Sequence, residues 1–127
     1  MKQIFVVDDD DNIRELLLRF MHELGYESSS APSGEEALTH LKSHRPDMLL
    51  LDILMPGMSG LDVLQETMKL YPDLPVIMIS DFADEDMAED ALSLGACDFF
   101  LKPFSLETVK SVLAMKLDMA ELESVGN

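Results

Sequence analysis

Met48-Leu49-Leu50-Leu51-Asp52-Ile53-Leu54-Met55-Pro56-Gly57 is the stretch that decides how this chain is read. Four apolar residues run without alternation into a carboxylate, and a Pro-Gly turn follows. A run of this kind predicts a strand covered on both faces, as in a parallel sheet between layers of helices. In such sheets ligands collect at the carboxyl ends of the strands, so Asp52 stands where α/β proteins keep their chemistry. Three other runs end the same way: Ile4 to Val7 at Asp8-Asp9, Val76 to Ile79 at Ser80, and Phe99 to Leu101 at Lys102.

Between these runs the apolar spacing changes to that of a helical face. Ile13, Leu16, Leu17, Phe20, Met21 and Leu24 predict a first helix, with acids in its first turn and Gly25 as its stop. Tyr26 to Ala31 reads as a strand, but Glu27 and three serines assign it to a sheet edge. Ser33-Gly34-Glu35-Glu36 predicts a capping box, opening a helix with Ala37, Leu38 and Leu41 inward and Pro46 beyond its end. A third helix, from near Ser59 to before Pro72, is expected to bury Leu61, Leu64 and Met68. Asp84 is the expected cap of a fourth, with Met87, Ala88, Ala91 and Leu92 inward and Gly95 as its stop. Cys97 to Leu101 is the fifth strand, and Ser105 caps a last helix with Leu106, Val109, Val112, Leu113, Leu117 and Ala120 inward.

Strict alternation of five strands and five helices predicts an α/β, doubly wound (βα)5 domain with a five-stranded parallel sheet and right-handed crossovers. With the polar second strand at an edge and the apolar first and third strands central, the order is 2-1-3-4-5. In that order the winding reverses between strands one and three, which brings Asp8, Asp9 and Asp52 to the switch-point crevice. Residues 1–122 form the expected domain, and residues 123–127 a polar tail or the start of a linker.

Composition narrows the partners. The 127 residues suit one domain. With 25 Asp and Glu against nine Lys and Arg, a net charge of −16 repels nucleic acid and anionic membranes, so no direct nucleic acid binding is expected. No apolar run reaches the ~18–20 residues of a membrane helix, and the N-terminus is a strand and not a secretory signal. The single Cys97 has no internal partner and reads as a small buried hydrophobe. A cytoplasmic protein is the expectation.

The strand-end residues carry a definite chemistry. Each close pair of carboxylates repels by on the order of 4 kcal/mol at an effective dielectric near ~20, so three of them require compensation. Mg2+ suits a cluster offering a few carboxylates with room for water and phosphate. Lys102 and Ser80 add a point charge and a hydroxyl donor, and the set reads as phosphoryl transfer to Asp52 as nucleophile.

These stretches resemble the receiver domain of the two-component response regulators. The matching residues are Val6-Val7-Asp8-Asp9, Leu51-Asp52-Ile53-Leu54-Met55-Pro56-Gly57-Met58-Ser59-Gly60, Val76-Ile77-Met78-Ile79-Ser80 and Leu101-Lys102-Pro103-Phe104. The resemblance implies a flavodoxin-like three-layer sandwich in which Asp52 accepts a phosphoryl group from a phosphohistidine of a sensor kinase or phosphotransfer protein. It implies Mg2+ on Asp9 and Asp52, with Asp8 acting through water and the backbone carbonyl of Leu54 as a further ligand. It further implies that Lys102 contacts the phosphoryl oxygens, that the Lys102-Pro103 bond is cis, and that Ser80 and Phe99 move as a switch. Partners would read the face of the fourth helix, fifth strand and fifth helix. That same face would carry any homodimer, since acids of the fourth helix oppose Lys110 and Lys116 of the fifth. The expected protein is a switch that modifies itself, with no small-molecule turnover.

Two residues depart from that family's pattern. Phe99 lacks a tyrosine's hydroxyl, and Asp81 occupies a position that is normally small. A carboxylate there is expected to slow phosphorylation or alter the phosphoryl lifetime. Other readings fail on particular residues. Asp8 to Asn12 opens like a calcium loop, but Ile13 replaces the glycine and Arg19 the closing Glu. A phosphatase D-x-D motif with Asp8 and Asp10 wants Thr or Val where Asn12 stands. His22, His40 and His44 have no metal-like spacing, Asp10 and Asp11 read as a solvated helix start, and Met115 and Met119 as a possible partner surface. The alternative for the whole chain is a degenerate receiver, acting as a phosphorylation-independent interaction module. It is either a stand-alone receiver or the N-terminal part of a longer regulator.

Overall fold

The computed structural model describes residues 1–81 and 85–125. Five strands, β1 Gln3–Val7, β2 Glu27–Ala31, β3 Met48–Asp52, β4 Val76–Ser80 and β5 Asp98–Leu101, alternate with five helices. The helices are α1 Asp11–Glu23, α2 Gly34–Leu41, α3 Gly60–Leu70, α4 Glu85–Ser93 and α5 Leu106–Val125. All four strand pairs are parallel and the order is β2-β1-β3-β4-β5, as expected. The polar β2 takes an edge, where one face and one ladder side need no apolar partner.

The unbroken apolar runs follow from the sheet having two cores. Ile4, Val6, Met48, Leu50, Ile77 and Ile79 point to the side covered by Leu17 and Met21 of α1 and Val109 and Leu113 of α5. Phe5, Val7, Leu49, Leu51, Val76 and Met78 point the other way, against Ala37 and Leu41 of α2, Val63 and Leu64 of α3 and Ala91 of α4. Alternate side chains therefore leave on opposite faces and every one is buried.

Helix starts are set by short side chains. Asp10 caps α1, its carboxylate accepting the N–H groups of Asn12 and Ile13 at 2.9 and 3.3 Å. Ser33 Oγ accepts Glu36 N–H at 3.3 Å at the start of α2. A reciprocal capping box opens α3: Asp62 N–H donates to Ser59 Oγ at 3.2 Å, and Ser59 N–H to the Asp62 carboxylate at 3.3 Å. Ser105 Oγ accepts Thr108 N–H at 3.1 Å, the expected cap of α5. Asp84, the expected cap of α4, lies outside the described residues.

Several inward faces are rotated from the expected ones. In α1 Leu18 packs on the core and Leu16 does not join it. In α3 the fully buried residues are Gly60, Val63, Leu64 and Thr67, whereas Leu61 and Met68 are only partly covered. Thr67 fits because its hydroxyl donates to the Val63 carbonyl at 2.7 Å, which removes its polarity from the core. Leu92 of α4 is 52% exposed, leaving Met87 and Ala91 to make that contact. Cys97 is half-buried beside the α1/α5 core, and burial raises its thiol pKa. Helix α5 continues to Val125, through residues that sequence alone assigned to a tail.

Candidate functional site

Strand register sets the level of each polar residue at the carboxyl edge of the sheet. Val7 pairs with Leu51, so Asp8 and Asp52 are the next residues on neighbouring strands. Asp52 pairs with Ile79, which puts Ser80 one step higher on β4, and Ser80 pairs with Leu101. Lys102 follows, its backbone N–H donating to the Ser80 carbonyl at 2.8 Å. The Lys102-Pro103 peptide is cis.

From that height the Lys102 side chain reaches back over the sheet. Its Nζ lies 2.9 Å from Asp8 Oδ2 and 3.6 Å from Asp52 Oδ1. Asp8 is fully buried, Asp52 and Ser80 are almost so, and Asp9 faces solvent. Asp8 Oδ1 accepts the Asp10 N–H at 2.9 Å. Asp8 Oδ2 is close to the ammonium but not aligned for a hydrogen bond, so this buried oxygen has a charged neighbour and no good donor.

Negative charge is in excess here. One oxygen from each of Asp8, Asp9 and Asp52 falls within 4.8 Å of the others, and among the described residues this is the one such trio of potential ligands. Burial, then the Asp8 charge, pushes the Asp52 carboxyl up from 3.8 to about 7, with Asp9 adding to the rise and Lys102 opposing it. Burial alone would lower the Lys102 ammonium, but Asp8, Asp52 and more weakly Asp81 outweigh it and raise its pKa. A buried oxygen without a good donor and a carboxyl raised by its neighbours' charge fit a site for a cation, and three carboxylate oxygens suit a hard divalent one.

Close packing fixes the nucleophile candidate from below. A Cβ on Gly60 would stand 2.0 Å from the Asp52 carbonyl oxygen, so only glycine lets α3 begin against β3 there. Gly60 N–H donates to the Ile53 carbonyl at 2.7 Å, closing the loop that holds Leu54 outward. Gly57, at φ +74, makes the turn in that loop. Three contributions to the site were not read from the sequence. Arg14 Nη1 donates to the Asp8 carbonyl at 2.9 Å, Glu35, read only as part of a helix cap, accepts the Met58 N–H at 3.4 Å, and Gly60, quoted only within the family-matching stretch, is the close-contact residue. Arg14 lies one turn along α1 from the acids, a spacing that is visible in sequence.

Phe99 is half-buried, level with Met78 and packed on the core that Met87 and Leu94 also cover. Of the residues singled out in sequence, Asp8, Asp9 and Asp52 thus come together, Lys102 lies against Asp8 and Asp52, Ser80 stands one step above Asp52, and Phe99 lies on the strand beside Ser80.

Comparison with known proteins is in keeping with this arrangement. Residues 4–114 match the response regulator receiver domain. The chain belongs to this family, whose members serve two-component systems. A receiver domain from Methanospirillum hungatei, described as CheY-like, superposes with a TM-score of 0.93 at 29% identity, covering 97% of this chain and 98% of that one. The DNA-binding transcriptional regulator NtrC of Salmonella typhimurium is 41% identical over 104 residues, 82% of this receiver and 22% of NtrC. A probable transcriptional regulator, ycf27, from Porphyridium aerugineum is 35% identical over 126 residues, 99% of this receiver and 52% of that protein. The chain therefore spans between about a fifth and a half of these curated relatives. Among the described residues no helix is long and apolar enough to cross a membrane.

Proposed function

We propose that this receiver is a phosphoryl-accepting signalling switch in which Asp52 takes the group from a phosphohistidine of a sensor kinase or phosphotransfer protein. The observation that carries the reading is the meeting of Asp8, Asp9 and Asp52, with the Lys102 ammonium against Asp8 and Asp52. An Asp52 carboxylate oxygen attacks phosphorus; the new O–P bond forms as the N–P bond breaks, and the departing electron pair returns to the imidazole. Lys102 gives the three phosphoryl oxygens a fixed positive charge, and the Ser80 hydroxyl gives them a donor. Mg2+, held by Asp9, Asp52 and the Leu54 carbonyl with Asp8 acting through water, would supply the remaining positive charge. The acceptor unit is assigned to residues 1–122.

The readout follows from the same groups. A new dianion at Asp52 draws Ser80 toward it, and Phe99 turns into the space released, biasing the domain toward a second packing. The face of α4, β5 and α5 then changes its affinity for a partner or for a second copy. The test is incubation with acetyl phosphate and Mg2+, followed by intact mass. Wild type should gain one phosphoryl group, and Asp52→Asn should gain none. An unlabelled wild type would select a phosphorylation-independent interaction module instead.

A further inference from the structure

Two of the three clustered carboxylates come from the short turn between β1 and α1, and one side chain ties that turn down. Arg14, in the first turn of α1, has a side chain only 18% exposed. Its Nη1 donates to the Asp8 carbonyl at 2.9 Å and its Nη2 to the Asp11 carboxylate at 2.5 Å. The Asp8 carbonyl belongs to the peptide that joins Asp8 to Asp9, so the guanidinium grips the peptide these two acids share. Asp8 has further constraints: it is fully buried, its N–H donates to the Ala31 carbonyl at 3.3 Å, and its Oδ1 accepts the Asp10 N–H. Asp9 is exposed, and its place beside Asp52 depends on how its backbone is aimed. The Asp11 end of the fork is 82% exposed and adds little energy by itself. Its effect is to fix the plane of the guanidinium, whose charged donor then meets the Asp8 carbonyl in a mostly covered position.

We propose that Arg14 is a positioning residue of the metal site: its guanidinium fork holds the Asp8–Asp9 peptide so that the carboxylates of Asp9 and Asp52 meet at the spacing Mg2+ requires. This rests on the reading above, in which Asp9 and Asp52 hold Mg2+, and adds the residue that sets their geometry. Arg14 has two effects of opposite sign. As a fixed positive charge it repels a cation, and removing that charge alone would tighten any divalent ion by about two- to fivefold at low salt. As a clamp it favours the ion, and losing such an outer partner weakens metal binding by about ten- to a hundredfold. The clamp therefore wins. Its loss is also felt unequally, because Mg2+ demands near-octahedral geometry whereas Ca2+ accepts irregular sets of oxygens. Lysine does not substitute, since it brings the same charge as a hydrated point and has no planar fork to bridge Asp11 and the Asp8 carbonyl.

The experiment titrates the full chain with MgCl2 and with CaCl2, in the absence of any phosphodonor, and follows backbone amide chemical shifts for wild type, Arg14→Gln and Arg14→Lys. Arg14→Gln should raise the Mg2+ Kd by about five- to twentyfold and the Ca2+ Kd by less than about threefold. Arg14→Lys should raise the Mg2+ Kd at least as far, because it keeps the repelling charge and loses the fork. Being the milder change, Arg14→Lys decides the matter should Arg14→Gln fail to fold. An Arg14→Gln protein that binds Mg2+ as tightly as wild type or tighter, an equal loss for both ions, or an Arg14→Lys protein that matches wild type overturns the proposal while leaving Asp9 and Asp52 as metal ligands. A wild type that binds no Mg2+ overturns the metal reading and this refinement with it.

Discussion

Replacing Asp52 by Asn should stabilise the metal-free protein at alkaline pH, even though it removes the proposed nucleophile. The Asp52 carboxyl sits at about 7 in the folded chain against 3.8 for an ordinary one, because it is buried and beside Asp8. A folded pKa above the unfolded one means that the native state holds the proton more tightly. Native stability is therefore favoured at low pH and lost as pH rises from 3.8 toward about 7, with a constant penalty above that. Three units at about 1.4 kcal/mol each would give about 4 kcal/mol. The crevice opens to water beside exposed Asp9, and screening there reduces the figure to about 2 kcal/mol. Asn has the same shape and no charge, and Lys102 keeps its closer partner, Asp8. Thermal unfolding followed by circular dichroism in excess chelator should place Asp52→Asn about 6–8 °C above wild type at about pH 8. At about pH 5 the gap should fall to less than half, because the native carboxyl is then still protonated and only the part of the penalty that accrues between 3.8 and about pH 5 is present. A variant no more stable than wild type at about pH 8, or a gap that ignores pH, would refute the claim that unrelieved negative charge strains this site.

The same excess charge should respond to metal: at about ten times its Kd, Mg2+ should stabilise wild type by about 1.4 kcal/mol, and Asp9→Asn should remove most of that shift in a thermal titration. Equal shifts in both proteins would disconnect the carboxylate trio from the metal. Gly60→Ala should destabilise by about 3 kcal/mol or more in urea unfolding, since the added Cβ meets the Asp52 carbonyl oxygen at 2.0 Å and backbone cannot give way cheaply. A cost below about 1 kcal/mol would mean that α3 is free to slide from β3.

Strand identity, sheet order and the chemistry-bearing residues were legible in the chain itself. Runs such as Met48 to Leu51 are apolar at every position because both faces of a central parallel strand are covered, and that leaves a direct mark on sequence. Asp8, Asp9, Asp52, Ser80 and Lys102 were legible because a polar residue closing such a run is conspicuous, and the switch-point rule says which closings converge. Helix faces were less so. Leu92 and Leu16 are as apolar as their neighbours, yet in the folded chain Leu92 is exposed and Leu16 lies outside the core. Thr67 is buried because Val63 offers it a carbonyl, a fact no hydropathy pattern contains. The energetics of Asp52 are likewise tertiary. Its sequence neighbours are apolar, yet its pKa is set by burial and by Asp8, which arrives from a strand more than forty residues away. Local periodicity depends on a few residues at a time and is written along the chain. Which charges meet and how deeply they are buried depend on register between distant strands, and only the folded sheet decides them.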